Sequence, residues 1–497
     1  MSVRRLSRRQ FVQVAIGISG SGLLAACGAT PAPAATSAPA EATATTAPTL
    51  APVEEVPTSL PVQAATVEAA VATTKLEGFE PQMTNPSEKI KLLYWWGNNY
   101  EPAMQFTHEI IKKFSLAYPN VEVEPVGGQN CDMFVTASAA GTPPDLFHTW
   151  DCVERMGLWA KRQMIIPLDD YVQKSNFPVD DYLPGVMDTC RWEGKTWGMV
   201  DTGGVFLLWY LPQQFSEIGQ TAEAYPATTD ELWSWAQQLT TRDANGDIQR
   251  MGMAIPTWVW TVMSYSASYG AELWNTDSDE PAPDNAGMVQ GLTDLVKEVE
   301  FYGLDAMDRW SASIGSQGGQ QDPWMAGNLT MKIDGDWSGQ AIFDFFPDWK
   351  FMTDYGAAPP PPAPESKRAA NAGVVFWSWP FVIPSGTKYP DWSWELCRFF
   401  LSPEYQVNVH AKFKEVLVRK SMMEDERLWW PAAQVARDML KSGAKIVSPV
   451  PMHPVAGEYI DLLGSGIEKV LRLQVSPEEG MKQVKEEVQK KIQEVMG

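Results

Sequence analysis

The stretch "KIKLLYWWGNNYEPAMQFTHEIIKKFSLAYPNVEVEPV", residues 89–126, decides the fold. Lys89 to Tyr94 alternates polar and apolar residues and predicts a strand. Trp95-Trp96-Gly97-Asn98-Asn99 reads as the loop that follows it. Pro102 suits the first turn of a helix. Phe106, Ile110 and Phe114, with Ile111 and Ala117, then fall on one helical face. Pro119-Asn120 ends that helix, and Val121 to Glu124 alternates as a second strand. Strand, helix and strand at this spacing begin an α/β unit with a parallel sheet.

The pattern continues downstream. A second helix is expected through Phe134–Ala140, broken by Gly141-Thr142-Pro143-Pro144. Leu146 to Trp150 reads as a short buried strand ending at Asp151. Thr228-x-x-Glu231 is a capping box, with Leu232, Trp235, Ala236 and Leu239 on the buried face of its helix. Ser476-Pro477-Glu478-Glu479 caps a last helix. Asp243-Ala244-Asn245-Gly246-Asp247 resembles the start of a calcium loop, but Ile248 and Ala254 stand where that loop needs Gly and Glu. It is read as a surface turn.

Upstream lies an address. Residues 1–26 carry Arg4, Arg5, Arg8 and Arg9 without an acid, then a modest apolar run, as in a signal peptide. Ser7 to Val12 resembles the twin-arginine export motif. Leu24-Ala25-Ala26-Cys27 resembles the lipobox of bacterial lipoproteins, which implies lipidation of Cys27 and an anchor on the outer face of a membrane. Residues 27–87 are rich in Ala, Pro and Thr, with Phe79 the one aromatic. Such a stretch is expected to stay a disordered tether, spanning about 45 Å as a coil.

About 410 residues remain, enough for two domains. The formal charge of −22 argues against nucleic acid and anionic lipid as partners. Beyond Cys27, the cysteines Cys131, Cys152, Cys190 and Cys397 match no zinc spacing. Cys131–Cys152 is favoured as a disulfide on closeness in sequence only, with free buried thiols the alternative. All 22 tryptophans lie beyond residue 90. Most belong in a core, Trp95 among them, but so many also suit a site where aromatic faces stack on sugar rings.

The segments "FTHEIIKKFSLAYPNVEVEPV" (106–126), "AAGTPPDLFHTW" (139–150), "IIPLDDYV" (165–172) and "WEGKTWGMV" (192–200) carry a resemblance. So do "TTDELWSWAQQLTTRDANGD" (228–247), "WMAGNLTMKIDGDWSG" (324–339) and "DWSWELCRFFLSPEYQ" (391–406). In this order they resemble family 1 extracellular solute-binding proteins, the sugar-capturing subunits of bacterial ABC importers. The resemblance covers about residues 89 to 420. It departs at Trp209-Tyr210-Leu211-Pro212, where the family often has Tyr-Asn-Lys, and at Gly327 to Met331.

The resemblance implies an α/β fold of two lobes, each a mainly parallel sheet flanked by helices, with ligand in the cleft between them. Carried over, lobe 1 takes residues 88–201 and a return segment about 376–410. Lobe 2 takes 202–375 with C-terminal helices about 411–497. The chain would cross near 200–204 and 374–377, and again around 405–415. Open parallel sheets bind ligand beyond the carboxyl ends of their strands. Trp95–Glu101, His148–Asp151 and Phe376–Trp379 would therefore face the cleft.

Expected ligand contacts are Trp96, Asn98 and Glu101 on the first of these loops, and Trp150 and Asp151 on the second. Asp151 can accept hydrogen bonds from two sugar hydroxyls, and it can equally cap the helix that starts there. Asp336 and Trp337 follow a turn that the family places at the cleft. Trp258, Trp260, Trp324 and Trp377 are candidate stacking platforms, each also suited to the core. Arg419 offers a fork of donors. No cofactor or metal is expected, and the chain is expected to act as a monomer beside transmembrane permease subunits. Rival readings are a receptor for a polyol, glycerol phosphate, polyamine or peptide, and a secreted carbohydrate-active enzyme. The last would need two carboxylates about 5–10 Å apart, and no HExxH or GxSxG motif is present.

Overall fold

The alternation at residues 89–94 becomes strand β1, Ile90–Trp96, whose buried and open residues interleave. Helix α1, Glu101–Ala117, returns the chain to β2, Val121–Val126, which pairs parallel with β1. Ile110, Ile111 and Phe114 are buried on α1's inner face. Helix α2, Cys131–Ala139, is capped by the Asn130 side chain and leads to β3, Leu146–His148, parallel to β1 on its other side. These elements are seen in a computed structural model that describes residues 78–497, except 100, 276–277, 315–320, 366, 368–372, 429, 443–444 and 448–450. The signal-peptide segment 1–26, Cys27 and the tether to residue 77 lie outside the described residues.

Ten strands form one sheet. After β3 come β4 (Met199–Tyr210), β5 (Thr241–Arg242), β6 (Ile248–Met253), β7 (Leu329–Gly335), β8 (Gly356–Ala358), β9 (Gly373–Val382) and β10 (Lys445–Val447). Their order in space is β2-β1-β3-β9-β4-β7-β6-β5, with β8 also on β4 and β10 on β9. β1 to β3 are parallel in one half, and β6 and β7 in the other. The antiparallel neighbours are mainly the two long strands β4 and β9.

Those two strands join the halves. β4 is buried along all 12 residues. Its first part pairs with β9, and Phe206 to Tyr210 pair with β7. β9 pairs with β3 at Phe381 and Val382 and with β10 at Gly373 to Val375. Strands covered on both faces read as near-continuous apolar runs, and "GVVFWSWPFV" is one. Helix α3, Thr229–Leu239, starts at the expected capping box: Thr228 Oγ1 accepts from Glu231 N at 3.2 Å. Helix α4, Val259–Ser266, is capped at Trp258.

Helices α5 (Pro390–Phe400) and α6 (Pro403–Phe413) pack on the first half, where Glu395 accepts from the Tyr118 hydroxyl and Glu404 pairs with Lys113. The third passage follows, with Val416 bridged to Gly203 and Leu183 N donating to Val418 O at 2.9 Å. Helices α7 (Ala456–Leu471) and α8 (Pro477–Met496) close the chain.

Two expectations are corrected or resolved. The tether was expected to reach residue 87, but Phe79 is buried against Phe114 and Phe399. Gln82 N donates to Glu395 Oε1 at 2.9 Å, and Met83 N to the Tyr118 hydroxyl. A single aromatic suffices to dock that end of the segment. Among the cysteines, Cys131 and Cys152 are bonded, with Cα atoms 5.7 Å apart. Cys190 and Cys397 are free and buried, and burial pushes the Cys190 thiol up to about 12.

Candidate ligand-binding cleft

The site grows from the carboxyl ends of β1 and β3. In register, Trp96 lies beside His148, which lies beside Phe381 of β9. Thr149 donates its N–H and its hydroxyl to the Pro380 carbonyl, at 2.9 and 3.0 Å. The ends of β1 and β3 thus meet β9 where it enters the first half, and Phe376–Trp379, expected as a loop, lie within that strand because it is paired along its whole length.

Five tryptophans meet there. Trp260 stacks on Trp377 at 5.2 Å with 24° between ring planes, and Trp258 meets the same ring edge-on at 5.2 Å. Trp337 lies 6.0 Å from Trp377 and 6.1 Å from Trp379. Phe206 of β4 touches Trp258 and Trp337. Rings therefore come from α4 and its cap, from β9 and from the turn after β7. Trp337 fits because residues 204 and 335 are glycines. A Cβ on either would stand 2.3 or 2.2 Å from its ring. In this cluster Trp258 is the open member, 41% exposed.

A narrow cavity adjoins the cluster. It is lined by Val153, Glu154 and Thr189 from the first half, by Trp260, and by Phe376 to Ser378 of β9. Pro451 and Met452 close it. Trp377 Nε1 is buried there without a hydrogen-bond partner. One step along β9, at Gly373 to Val375, a larger cavity of about 560 Å³ opens between Phe206, Pro359, Pro360 and Met439. Glu154 and Asp438 are the charged residues among the described lining of the two cavities. Neither lining includes a lysine or arginine.

The expected site residues divide. Trp258, Trp260, Trp337 and Trp377 are brought together. Trp96 is buried at the end of β1, 6.3 Å from the His148 ring. Asn98 accepts Gly128 N through its backbone at 3.0 Å. Glu101 is exposed on α1 and accepts from Gln105. Trp150 and Asp151 open a short 3-10 turn, Trp150–Arg155, but their side chains lie outside the described part of the structure. Trp324 is fully buried in a different cluster with Trp209 and Trp349, so it does not belong to the cleft. Arg419 is also committed elsewhere: Nε donates to Asp181 Oδ2 at 2.9 Å and Nη1 to Leu401 O at 2.8 Å.

Asp336 is the largest departure from expectation. It is fully buried, and both carboxylate oxygens face backbone amides. Oδ1 takes Val205 N of β4 at 3.2 Å, and Oδ2 takes Val416 N of the third passage at 3.1 Å. Burial, with Glu415 nearby, raises its pKa to about 8. Beside it His410 Nδ1 sits 2.7 Å from Glu415 Oε2, and its Nε2 lies 3.7 Å from Asp201 Oδ1. Burial alone would lower this imidazole's pKa, but the two acids raise it to about 9. His148 is shifted down by burial and donates Nε2–H to Trp379 O at 3.2 Å. The floor of the cleft is thus a dry set of ionisable groups on the segments that join the halves.

Trp379, Phe206, Glu154 and Met452 also line or support the cleft. Trp379 shares the period-two face of Trp377 and was legible in that sense. Met452 carried no signal, since a segment far along the chain brings it there.

Comparison with known proteins agrees with this architecture. The pattern of the bacterial extracellular solute-binding protein family matches residues 98–407. The solved structure of CpMnBP1 with mannotriose bound superposes with a TM-score of 0.70 at 22% identity, over 80% of this chain and 100% of that one. The maltose/maltodextrin-binding domain from Bdellovibrio bacteriovorus, bound to maltotriose, gives 0.63 at 18% identity, over 81% and 100%. A solute-binding protein from Thermotoga lettingae bound with alpha-D-tagatose gives 0.64 at 20%, over 82% and 100%. At such identities the likeness concerns the fold: two lobes with a cleft between them. On the extent of the family match, this chain belongs to the bacterial extracellular solute-binding proteins.

Proposed function

We propose that the chain is the receptor of a bacterial ABC importer and captures a neutral sugar or oligosaccharide between its lobes. The observation that carries this is the tryptophan cluster at the crossing of β4 and β9, with Trp258 open and Trp377 lining a cavity that both halves share. Flat aromatic faces suit the apolar faces of pyranose rings. The unpaired Trp377 N–H suits a hydroxyl acceptor. The absence of basic side chains from the described cavity linings disfavours an anionic solute. The sugar ligands bound by CpMnBP1 and the Bdellovibrio domain fit this reading.

Ligand would bridge the lobes and favour the closed arrangement by its differential affinity for it. The closed receptor would then dock on a permease. In this reading residues 1–26 direct export, Cys27 carries lipid on the outer face of the membrane, and the tether holds the receptor near its transporter at high effective concentration. The protein would bind its solute without chemistry. A cationic solute is the second reading, favoured by Glu154 and Asp438 in the cavities.

The test is tryptophan fluorescence and thermal shift of the unfolded-and-refolded protein against mono- and oligosaccharides, polyols and polyamines. A saturable response to one sugar class, with the sugar recovered intact, supports the proposal. A response confined to polyamines would replace it with the second reading. Cleavage of the bound glycan would make the protein an enzyme.

A further inference from the structure

We propose, resting on the solute-binding reading above, that the Cys131–Cys152 disulfide is a positioning element of the cleft. It ties the loop after β1 and the turn after β3 into one unit, and so presets the cavity wall that the solute meets. Cys152 is the third residue of the 3-10 turn Trp150–Arg155. The next two residues, Val153 and Glu154, line the narrow cavity beside Trp377. Cys131 is the first residue of α2. The bond therefore joins a helix start to a cavity wall 21 residues further along the chain, with Cα atoms 5.7 Å apart.

The helix end of the bond is firmly held. Asn130 Oδ1 caps α2 by accepting from Met133 N at 3.0 Å. Phe134, fully buried three residues after Cys131, stacks on Phe147 of β3 at 5.2 Å and meets Trp159 at 4.5 Å. Just before the helix, Gln129 N donates to Trp96 O at 3.1 Å and Gly128 N to Asn98 O at 3.0 Å. Those carbonyls lie at the end of β1 and in the loop after it, so the place of Cys131 is set by that loop. The turn has less support of its own. Its entry is fixed by Thr149 on Pro380, but the Thr149 hydroxyl is engaged there and does not cap the turn. Inside the turn, Cys152 N donates to Thr149 O at 2.8 Å and Met156 N to Val153 O. Such i→i+3 bonds have poorer geometry than those of an α-helix.

The other anchors come from far along the chain. Arg155 pairs with Asp461 of α7 at 2.7 Å. The His453 backbone lies so close to Gly157 that a Cβ there would stand 2.3 Å from it. α7 is itself bonded to the second half, where the Tyr459 hydroxyl donates to Leu273 O at 2.7 Å. The disulfide is thus the cross-link that holds Val153 and Glu154 against the first half itself, independently of contacts with the second. Side chains held in place before the solute arrives need no ordering when it binds, and that saving appears as affinity.

The full chain would be compared with a double variant, Cys131→Ser with Cys152→Ala. Ser476→Ala serves as a control, since it removes the cap of α8 and lowers stability away from the cleft. Hydrogen exchange of the ligand-free proteins follows the amides of residues 149–156. Titration with a sugar panel that includes mannotriose and maltotriose, well below the thermal midpoint, follows the dissociation constant. In the double variant, exchange at 149–156 should rise about tenfold more than elsewhere. Its dissociation constant should rise about tenfold. Ser476→Ala should lower the thermal midpoint and leave both readouts at their wild-type values. Unchanged exchange at 149–156 would show that the turn holds itself and would overturn the proposal without any ligand. Faster exchange there with an unchanged dissociation constant would leave a structural bond with no part in binding. A wild type that binds no sugar of the panel would instead overturn the sugar reading, and this role with it. If the double variant does not fold, the wild type before and after reduction by a phosphine decides. The same two changes support the role, and their absence, or unfolding of the whole chain, rejects it.

Discussion

Two tryptophan clusters in this molecule look alike and do different things. One joins Trp258, Trp260, Trp337, Trp377 and Trp379 at the crossing of β4 and β9. The other joins Trp209, Trp324, Trp349 and Trp430 with Tyr355. Ring spacings are similar, 5.2 to 6.3 Å in the first and 6.0 to 6.4 Å in the second for the contacts cited. The second cluster is closed: Trp209 and Trp324 are fully buried, and the Trp209 Nε1–H reaches the Gly335 carbonyl. Its charged companion, Lys332, is held by Asp334 and Asp322 and has its pKa raised against burial, so it stays charged. The first cluster has an open ring, Trp258, and lines a cavity, whereas each cluster holds a buried indole N–H without a partner, at Trp377 in the first and at Trp324 in the second. Aromatic number does not distinguish a site from a core. An open face beside a cavity does.

That contrast can be broken most violently at Trp209. Trp209→Ala should cost about 3–5 kcal/mol, read as a large fall in thermal midpoint or loss of folded protein. A loss near zero would mean the second cluster is not structural. Next is Gly204→Ala, whose Cβ would press on the Trp337 ring. Overpacking there should cost about 1–3 kcal/mol and also weaken the sugar response, because Trp337 must move away from Trp377. An unaffected response would detach Trp337 from the ligand.

The pH dependence sharpens the contrast. A carboxyl raised in the native state, as Asp336 is, keeps a proton that the unfolded chain releases from about pH 4 upward. Native stability from this group therefore falls as pH rises to about 8. A raised imidazole contributes stability that is complete below about pH 6.5 and is lost as pH passes about 9. Both act in one direction, so the thermal midpoint should decline between pH 6 and 9. His410→Gln should flatten the upper part of that decline, while removal of Lys332 should leave its slope alone. A decline that is as steep in His410→Gln would acquit the hinge histidine.

The smallest stability effect is expected at Trp258. As the exposed ring, its replacement by Ala should change stability by no more than about 0.5–1 kcal/mol. The same variant should lose most of the fluorescence and affinity response to the sugar that the wild type binds. An intact response would move the binding face away from this cluster.

Much of the first half was legible in the chain. Period-two alternation at residues 89–94 and 121–124, a helical stripe between them and a Gly/Pro break after α2 are local signals, and β1, α1, β2 and α2 follow them closely. Thr228 and Ser476 cap the helices they were expected to cap. The crossing positions were expected through resemblance more than periodicity, since a strand buried on both faces has no alternation to read. The site was legible in kind only. Trp377 lies in an aromatic, apolar stretch and Trp324 in a polar turn, yet Trp324 is the core ring and Trp377 the cleft ring, so the local sequence does not separate them.

Asp336 shows the limit most clearly. A carboxylate on a turn beside a predicted cleft reads as a ligand contact, yet its partners are 131 and 80 residues away in sequence. The residue types, the strand and helix periods, the caps and the surplus of tryptophan were set by the sequence alone, because each depends on neighbours within a few positions. Which rings stay open, which acid is sealed against two crossing strands, and how Glu415 and His410 share its charge were decided only by the tertiary structure. Solvation and hydrogen-bond partners are properties of where the chain returns in space, and those contacts span the length of the fold.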